Sequence, residues 1–148
     1  MRIFLIVVVV AFALSFVGLR ISQERLGKGE AQFGETVVHV DIADSIPTQR
    51  RGLSNRESLP DGTGMVFLFN APAKHAIWMK DMKFAIDIVW VRSGKIVDIA
   101  PNVQPPATPD EPLQTYLPRL ESDTVIELPA GFAVEHGLKI GDPVEIRR

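Results

Sequence analysis

The chain has 148 residues, of which 46% are hydrophobic and none is cysteine, and its formal net charge at pH 7 is −2. This length suits one domain with one core. The absence of cysteine excludes disulfides, a thiolate nucleophile, zinc fingers and a lipid-modified cysteine anchor. Because no basic stripe is evident, nucleic acid is not an expected partner.

The N-terminus carries a long apolar run. Residues 3–19 contain no charge and lie between Arg2 and Arg20. A positive start followed by an apolar run is typical of a secretory signal, and the run is also just long enough for a helix that crosses a membrane. We predict a signal peptide or membrane anchor over residues 1–19. The domain would then be extracytoplasmic, periplasmic or secreted, and tethered to the cytoplasmic membrane if the segment is retained.

The rest of the chain divides into a linker and a domain. Residues 20–35 mix charge and glycine without periodicity, which predicts a linker. Residues 36–148 are predicted to form a single β-rich domain. Its membrane contact is expected only through the N-terminal segment.

The first half of the predicted domain combines strands with one short helix. Alternating apolar residues predict a strand over residues 36–43. Asp44 or Ser45 can cap a short helix. Pro47 suits the first turn of this helix, and Gly52 can end it. The strands predicted next are 65–69, 75–80, 85–92 and, after a turn at Ser93-Gly94, 95–100.

The second half begins with a proline-rich segment. Residues 101–118 hold six of the 11 prolines, which predicts a long loop that is either functional or mobile. A strand at 124–128, a helix at 130–136 and a strand at 143–147 follow. This pattern predicts a mainly β fold: a small antiparallel β-sandwich or partly open barrel with two short helices, preceded by an N-terminal hydrophobic helix.

Several short motifs occur in the following order: Arg51-Gly52-Leu53, Gly64-Met65-Val66-Phe67, Trp78-Met79-Lys80, Asp87, Glu127-Leu128-Pro129-Ala130-Gly131 and Gly141-Asp142. In this order and spacing they resemble the domain-of-unknown-function family 192, an uncharacterised protein family. The resemblance covers about residues 36–148. It implies a β-sandwich or barrel-like fold and no settled activity, because the family is named for lacking one.

Asp87 is the most informative polar residue, because it interrupts an apolar strand. A carboxylate buried there needs a partner. If residues 81–84 form a hairpin loop, strand parity places Trp78 and Lys80 on the face of Asp87. The available donors are then Lys80, Arg51 and the indole N–H of Trp78. The pattern predicts a buried pair or N–H contact that stabilises the fold, a ligand or catalytic site built on Lys80 and Asp87, or an exposed side chain.

Glu127 raises the same question in another strand. Alternation places it on the face of Val125, away from Ile126, where it is either a solvated or backbone-bonded glutamate or a site residue. Arg50 and Arg51 can clamp a carboxylate or phosphate, or form a solvated helix face. The histidines lack metal-ligand spacing, and no phosphate-binding glycine loop is present, so neither a metal nor a cofactor is predicted.

Two classes of function follow from these residues. The first is an exported, non-catalytic module of the cell envelope that binds a small ligand or an envelope protein, with the proline-rich loop as a lid. The alternative is a small hydrolase or transferase that uses Asp87 or Glu127 as base and Lys80 or Arg51 to stabilise charge. An assembly or envelope-stress protein without a small ligand also fits. The candidate ligand-binding residues are Arg51, Trp78, Lys80, Asp87 and Glu127.

Overall fold

The computed structural model describes residues 26–108 and 110–148, so the predicted leader and N-terminal hydrophobic helix lie outside the described residues. Among the described residues, no helix is long and apolar enough to cross a membrane. The strands are β1 (Gly27–Phe33), β2 (Thr36–Ala43), β3 (Thr63–Ala73), β4 (Ile77–Trp78), β5 (Ile86–Arg92), β6 (Lys95–Val103), β7 (Thr115–Tyr116), β8 (Ser122–Pro129) and β9 (Val144–Arg147), and the helices are α1 (Ile46–Arg51) and α2 (Phe132–Glu135).

Seven of these strands form one sheet in the order β6-β5-β8-β3-β2-β1-β9, and β4 pairs with β7 in a second, small sheet. The two ends of the large sheet approach each other, because Lys95 pairs with Pro143 and the Val144 N–H donates to the Gly94 carbonyl at 2.8 Å. The sheet is therefore curled into a half-barrel. The prediction of a mainly β fold with two short helices is confirmed.

The large sheet is mixed, so the antiparallel arrangement predicted for the sandwich or partly open barrel is wrong at one pair of strands. β2 and β3 run parallel, whereas the other neighbours are antiparallel. Parallel neighbours need a crossover connection, usually through a helix. Residues 44–62, which include α1, supply that crossover and carry the chain across one face of the sheet.

β1 lies inside the segment predicted as a linker. It pairs with β2 along its whole length and with β9 on its other side. Ala31 and Phe33 are buried. A Cβ at Gly29 would lie 2.3 Å from the Arg147 carbonyl oxygen, so only glycine permits this approach. The linker prediction is wrong for residues 27–33, because glycines and charges obscure the alternation of this strand.

Helix α1 forms where local signals predict it. The Ser45 side chain accepts from the Thr48 N–H, and the Thr48 hydroxyl accepts from the Ser45 N–H in return. Pro47 lies in the first turn, and Gly52 ends the helix with φ of 49°, a conformation that favours glycine. The cap predicted at Asp44 or Ser45 is therefore Ser45.

Two buried clusters occupy the two faces of the sheet. The first draws residues from all seven strands and fills the inside of the curl, where Phe33 packs edge-on against Phe132 with ring centroids 5.7 Å apart. The second covers the outer face of β3, β5 and β8. Leu53 and Ile77, from the connecting segments, close this second cluster. The outer face of the sheet therefore has a buried cluster of its own, covered by the connecting segments.

Candidate functional site

A cavity of about 280 Å³ opens on the outer face of the sheet, between α1 and β4. We call it the α1–β4 cavity. Its lining comes from α1 and the turn after it, from β3, from the segment around β4 and from one residue of β8. The lining residues are Ile46, Gln49, Arg50, Arg51, Gly52, Leu53, Ser54, Phe67, Phe69, Ala76, Ile77, Trp78, Met82 and Glu127.

Helix α1 is held on the sheet by one polar and one apolar contact. The Gln49 side chain donates from Nε2 to the Leu68 carbonyl of β3 at 2.6 Å. At the other end of the helix, a Cβ on Gly52 would contact the ring of Phe67 at 3.4 Å, so the helix ends directly over β3. These contacts bring Arg50 and Arg51, in the last turn, to the edge of the cavity.

Glu127 lies in the floor of the cavity. In β8 it pairs with Met65 of β3 on one side and with Ile88 of β5 on the other, so its side chain shares their outer face. The residue is only 5% exposed, and its Oε2 is a buried oxygen without a hydrogen-bond partner in the described structure. The face that alternation predicts for Glu127 is confirmed.

The protonation of Glu127 follows from this burial. Loss of solvent raises the pKa of the carboxyl from its usual 4.5 to about 8, and the positive charge of Arg56 offsets only part of that rise. At neutral pH the side chain is mostly a neutral acid. It can donate one hydrogen bond from its O–H and accept others, as a hydroxyl does.

The rim of the cavity is both apolar and cationic. Trp78 is 51% exposed and Ile46 is 66% exposed, which leaves two large apolar surfaces at the mouth. Arg50 and Arg51 are exposed beside them. An aromatic face next to guanidinium groups suits a ligand with a flat apolar body and an acidic group.

Lys80 does not join this site. The predicted hairpin between residues 75–80 and 85–92 is not formed, because β4 pairs with β7 through Ile77–Tyr116 and Trp78–Thr115. The segment after β4 instead turns at Asp81, whose φ is 56°. Its carbonyl accepts from the Asn55 N–H at 2.8 Å. Lys80 is consequently exposed and absent from the cavity lining.

Asp87 is buried on the opposite face of the sheet. It pairs with Leu128 in β8 and so shares the inner face with that residue. Oδ1 accepts from the backbone N–H groups of Asn102 (2.7 Å) and Gly131 (3.1 Å), and Oδ2 accepts from that of Ala133 (2.7 Å). The donors are therefore backbone groups, and the predicted donors Lys80, Arg51 and Trp78 are wrong. Through these three hydrogen bonds Asp87 joins α2 and the end of β6 to β5.

Three of the five predicted site residues thus meet in one cavity: Arg51, Trp78 and Glu127. Sequence reasoning missed most of the apolar lining. Phe67 and Phe69 alternate along β3, which is a signal that both face the same way. Leu53 and Met82 lie in irregular segments and carry no such signal.

The proline-rich segment borders a different cavity. Pro105, Pro106 and Pro112 line a space of about 130 Å³ beside Met79. Among the described residues, none from 101–118 lines the α1–β4 cavity. The segment is also less irregular than predicted, since β6 extends through Val103 and β7 forms at Thr115–Tyr116.

A metal centre has no support in the described part of the chain. No group of three or more histidine, cysteine, aspartate or glutamate side chains is arranged there to hold an ion. The ionisable groups of the α1–β4 cavity are two arginines and one neutral glutamate, a set that suits an organic ligand better than a cation.

The family model DUF192, described as an uncharacterised ACR, matches residues 29–146. The chain belongs to this family. The match runs from β1 to β9, so both the α1–β4 cavity and the Asp87 contacts lie within the DUF192 domain. None of the curated proteins compared with the chain matches it.

Two solved structures resemble this DUF192 domain. One, from Sinorhizobium meliloti 1021 and named provisionally as a transcription regulator, superposes with a TM-score of 0.73 at 24% identity, over 84% of this chain and 98% of the other. A protein of unknown function from Novosphingobium aromaticivorans DSM 12444 gives 0.67 at 29% identity, over 81% and 84%. The first likeness establishes the fold alone.

Proposed function

We propose that this chain is an exported, non-catalytic module of the cell envelope that binds a small ligand in the α1–β4 cavity. The observation that carries the proposal is Glu127: its side chain lines the cavity, and its Oε2 is buried without a hydrogen-bond partner among the described residues. An unsatisfied buried polar atom costs about 1–3 kcal/mol. Such an atom is expected where a ligand or ordered water completes the bond.

The rest of the cavity supports the same function. Small-molecule sites are concave and mostly apolar, with a few polar groups that orient the ligand. The lining follows that description, with phenylalanine, leucine, isoleucine and methionine side chains around Glu127 and two arginines at the edge. The proposed site therefore consists of Arg50, Arg51, Trp78 and Glu127. Lys80 and Asp87 are left out because neither lines the cavity.

Binding is tested by the intact mass of the protein purified from its envelope fraction under native conditions. We expect a reproducible extra mass on the natural protein that is lost or reduced in Glu127→Gln. Glu135→Gln makes the same chemical change on α2, outside the cavity, and should keep the extra mass. A bare polypeptide mass, together with no thermal stabilisation by any compound of a metabolite library, would rule out the binding function.

Export is the part of the proposal that rests on residues 3–19, the uncharged run between Arg2 and Arg20. The denatured mass of the same preparation tests it. A mass short by the leader means a cleaved signal, and a full mass in the membrane fraction means an anchor. Recovery of the full-length chain from the cytoplasm alone would contradict export.

The alternative function is a small hydrolase or transferase, and the Glu127 carboxyl is what favours it. A pKa of about 8 suits a general acid or base near neutral pH. Only Glu127 and Arg51 of the proposed catalytic set line the cavity, however. A hydrolytic substrate panel in which the natural protein exceeds Glu127→Gln by 100-fold or more would support an enzyme, and equal background rates would support the binding module.

A further inference from the structure

The charge of the α1–β4 cavity limits what it can bind. Arg50 and Arg51 contribute two positive charges, and Glu127 is the only acidic residue among the described residues that line it. No described carboxylate lies within salt-bridge distance of Arg50. A cationic ligand would meet repulsion at the rim, whereas an anion would gain charge-assisted hydrogen bonds from guanidinium groups.

The size and chemistry of the walls define the body of the ligand. The cavity of about 280 Å³ lies just below the range of about 300–1,000 Å³ that small-molecule sites span. That space suits one ring with short substituents. The walls are the rings of Phe67, Phe69 and Trp78 with the aliphatic side chains of Leu53 and Ile77, which favours a flat apolar ring over a polyhydroxylated one.

The floor requires a second, uncharged polar group on the ligand. The neutral Glu127 carboxyl can donate a hydrogen bond to a carbonyl, amide or ether oxygen. A second anionic group at the floor would have to be desolvated beside the buried Glu127, which is costly. The ligand therefore carries its charge at one end only.

We infer that the cavity binds a small aromatic or cyclic monocarboxylate, with its carboxylate at Arg50 and Arg51, its ring against Trp78 and an uncharged oxygen that accepts a hydrogen bond from Glu127. This inference deepens the proposed function and rests on it. The ligand then has one negative charge, which the arginines at the rim bind, and an uncharged end, which Glu127 binds.

The groups around Glu127 make the binding of such an anion depend on pH. Arg56 is the cationic group whose charge acts on the carboxyl, Arg50 and Arg51 line the same cavity, and the strand neighbours Met65 and Ile88 are uncharged. Burial raises the pKa of Glu127 to about 8. Above that pH the carboxyl loses its donor proton and becomes an anion in the same cavity, so affinity for an anionic ligand falls as pH rises.

Three compounds on one scaffold test the inference: 4-carbamoylbenzoate, terephthalamide and 4-(aminomethyl)benzamide, with charges of −1, 0 and +1. Each has a benzamide oxygen for Glu127. The full protein from the envelope fraction is titrated at pH 6.5 and pH 9.5, and the indole N–H resonance of Trp78 is followed by NMR. At pH 6.5 we expect the anion to bind about tenfold more tightly than the neutral compound, because charge-assisted hydrogen bonds are the stronger class, and the cation to bind weakest.

Substitutions at Arg50 and at Glu127 test the rim and the floor of the cavity independently. Arg50→Gln should weaken 4-carbamoylbenzoate by about fivefold to tenfold and leave terephthalamide unchanged. Arg92→Gln removes the same charge from an arginine paired with Glu121 outside the cavity, and should change neither. In Glu127→Gln the loss of anion affinity between pH 6.5 and 9.5 should disappear, because the amide does not titrate.

The outcomes distinguish this inference from the proposed function. Tighter binding of the neutral or cationic compound, still sensitive to Glu127→Gln, overturns the monocarboxylate class and keeps the cavity as a binding site. If none of the three compounds shifts the Trp78 resonance, the inference of a monocarboxylate ligand is also overturned. The native-mass measurement then decides separately whether the cavity binds anything.

Discussion

Asp87 and Glu127 are buried carboxylates on adjacent strands of one sheet, yet their surroundings differ in nearly every respect. Asp87 faces the inside of the curl and accepts three backbone N–H groups at 2.7–3.1 Å. Glu127 faces outward at the floor of a cavity, and one of its oxygens has no hydrogen-bond partner among residues 26–108 and 110–148. Both interrupt apolar runs in the sequence, so the apolar context alone does not distinguish them.

The contrast shows how a structural carboxylate differs from a candidate ligand-binding one. The three donors of Asp87 come from β6 and from the start of α2. This side chain therefore joins α2 to β5, and it binds β6 where the register of the β5–β6 ladder shifts. Its acceptor capacity is used within the fold. Among the described residues Glu127 joins nothing through the buried Oε2, and the residue lines the α1–β4 cavity.

Asp87→Ala should destabilise the domain by about 3–9 kcal/mol, because three backbone N–H groups lose their acceptor at about 1–3 kcal/mol each. Urea unfolding at pH 7 measures the loss. Asp87→Asn keeps one acceptor oxygen and should fall between the natural protein and Asp87→Ala. A loss below 1 kcal/mol for Asp87→Ala would contradict the structural role.

Glu127 should make the domain less stable as pH rises from about 4.5 to 8. Its pKa is raised from the usual 4.5 to about 8, so over this interval the native state holds a proton that the unfolded state has lost. Stability then falls by up to about 1.4 kcal/mol for each pH unit, and by about 4–5 kcal/mol over the whole interval. Below and above the interval both states carry the same charge, and the contribution is constant.

The free energy of unfolding of the natural protein and of Glu127→Gln, measured from pH 4 to 9, isolates this effect. The difference between the two curves should change through that interval, because glutamine does not titrate. Parallel curves would mean that Glu127 is ionised in the native state at neutral pH. That result would remove the proposed O–H donor from the cavity floor.

Gly64→Ala should disturb the floor of the cavity from behind. A Cβ at Gly64 would lie 2.8 Å from the Glu127 carbonyl oxygen and 3.2 Å from the Leu128 side chain, so β3 and β8 must separate. We expect a loss of about 2 kcal/mol and weaker binding of 4-carbamoylbenzoate. Gly27→Ala is the matched strand variant: its Cβ would meet only the Ile42 side chain, at 3.3 Å, and should cost less. Equal losses would mean that the Gly64 contact is relieved without moving Glu127.

Trp78→Ala should cost only about 1–2 kcal/mol of stability, because half of the side chain is exposed at the cavity rim. It should nevertheless weaken 4-carbamoylbenzoate through loss of ring contact. Trp90→Ala is the contrasting variant: Trp90 is 1% exposed and donates to the His75 carbonyl at 2.9 Å, so its removal should cost about 3–5 kcal/mol. Unchanged ligand affinity in Trp78→Ala would place the ligand away from the rim.

Several features of this protein follow from short stretches of sequence. The cap at Ser45, the helix end at Gly52 and the turn at Ser93-Gly94 depend on backbone dihedrals and on hydrogen bonds that span a few residues. The face of Glu127 follows from strand parity alone, which is why alternation predicts it. Membership of the DUF192 family rests on motifs that can be recognised without coordinates.

Tertiary structure alone decided which residues meet. Asp87 finds its donors 15, 44 and 46 positions away, and β4 pairs with β7 instead of forming a hairpin with β5. Such pairings depend on how the whole chain packs, because many partners could satisfy the same polar group locally. The sequence predicted Arg51, Trp78 and Glu127 as site residues. Only the packing of α1 on the sheet brings them around one cavity and leaves Lys80 outside it.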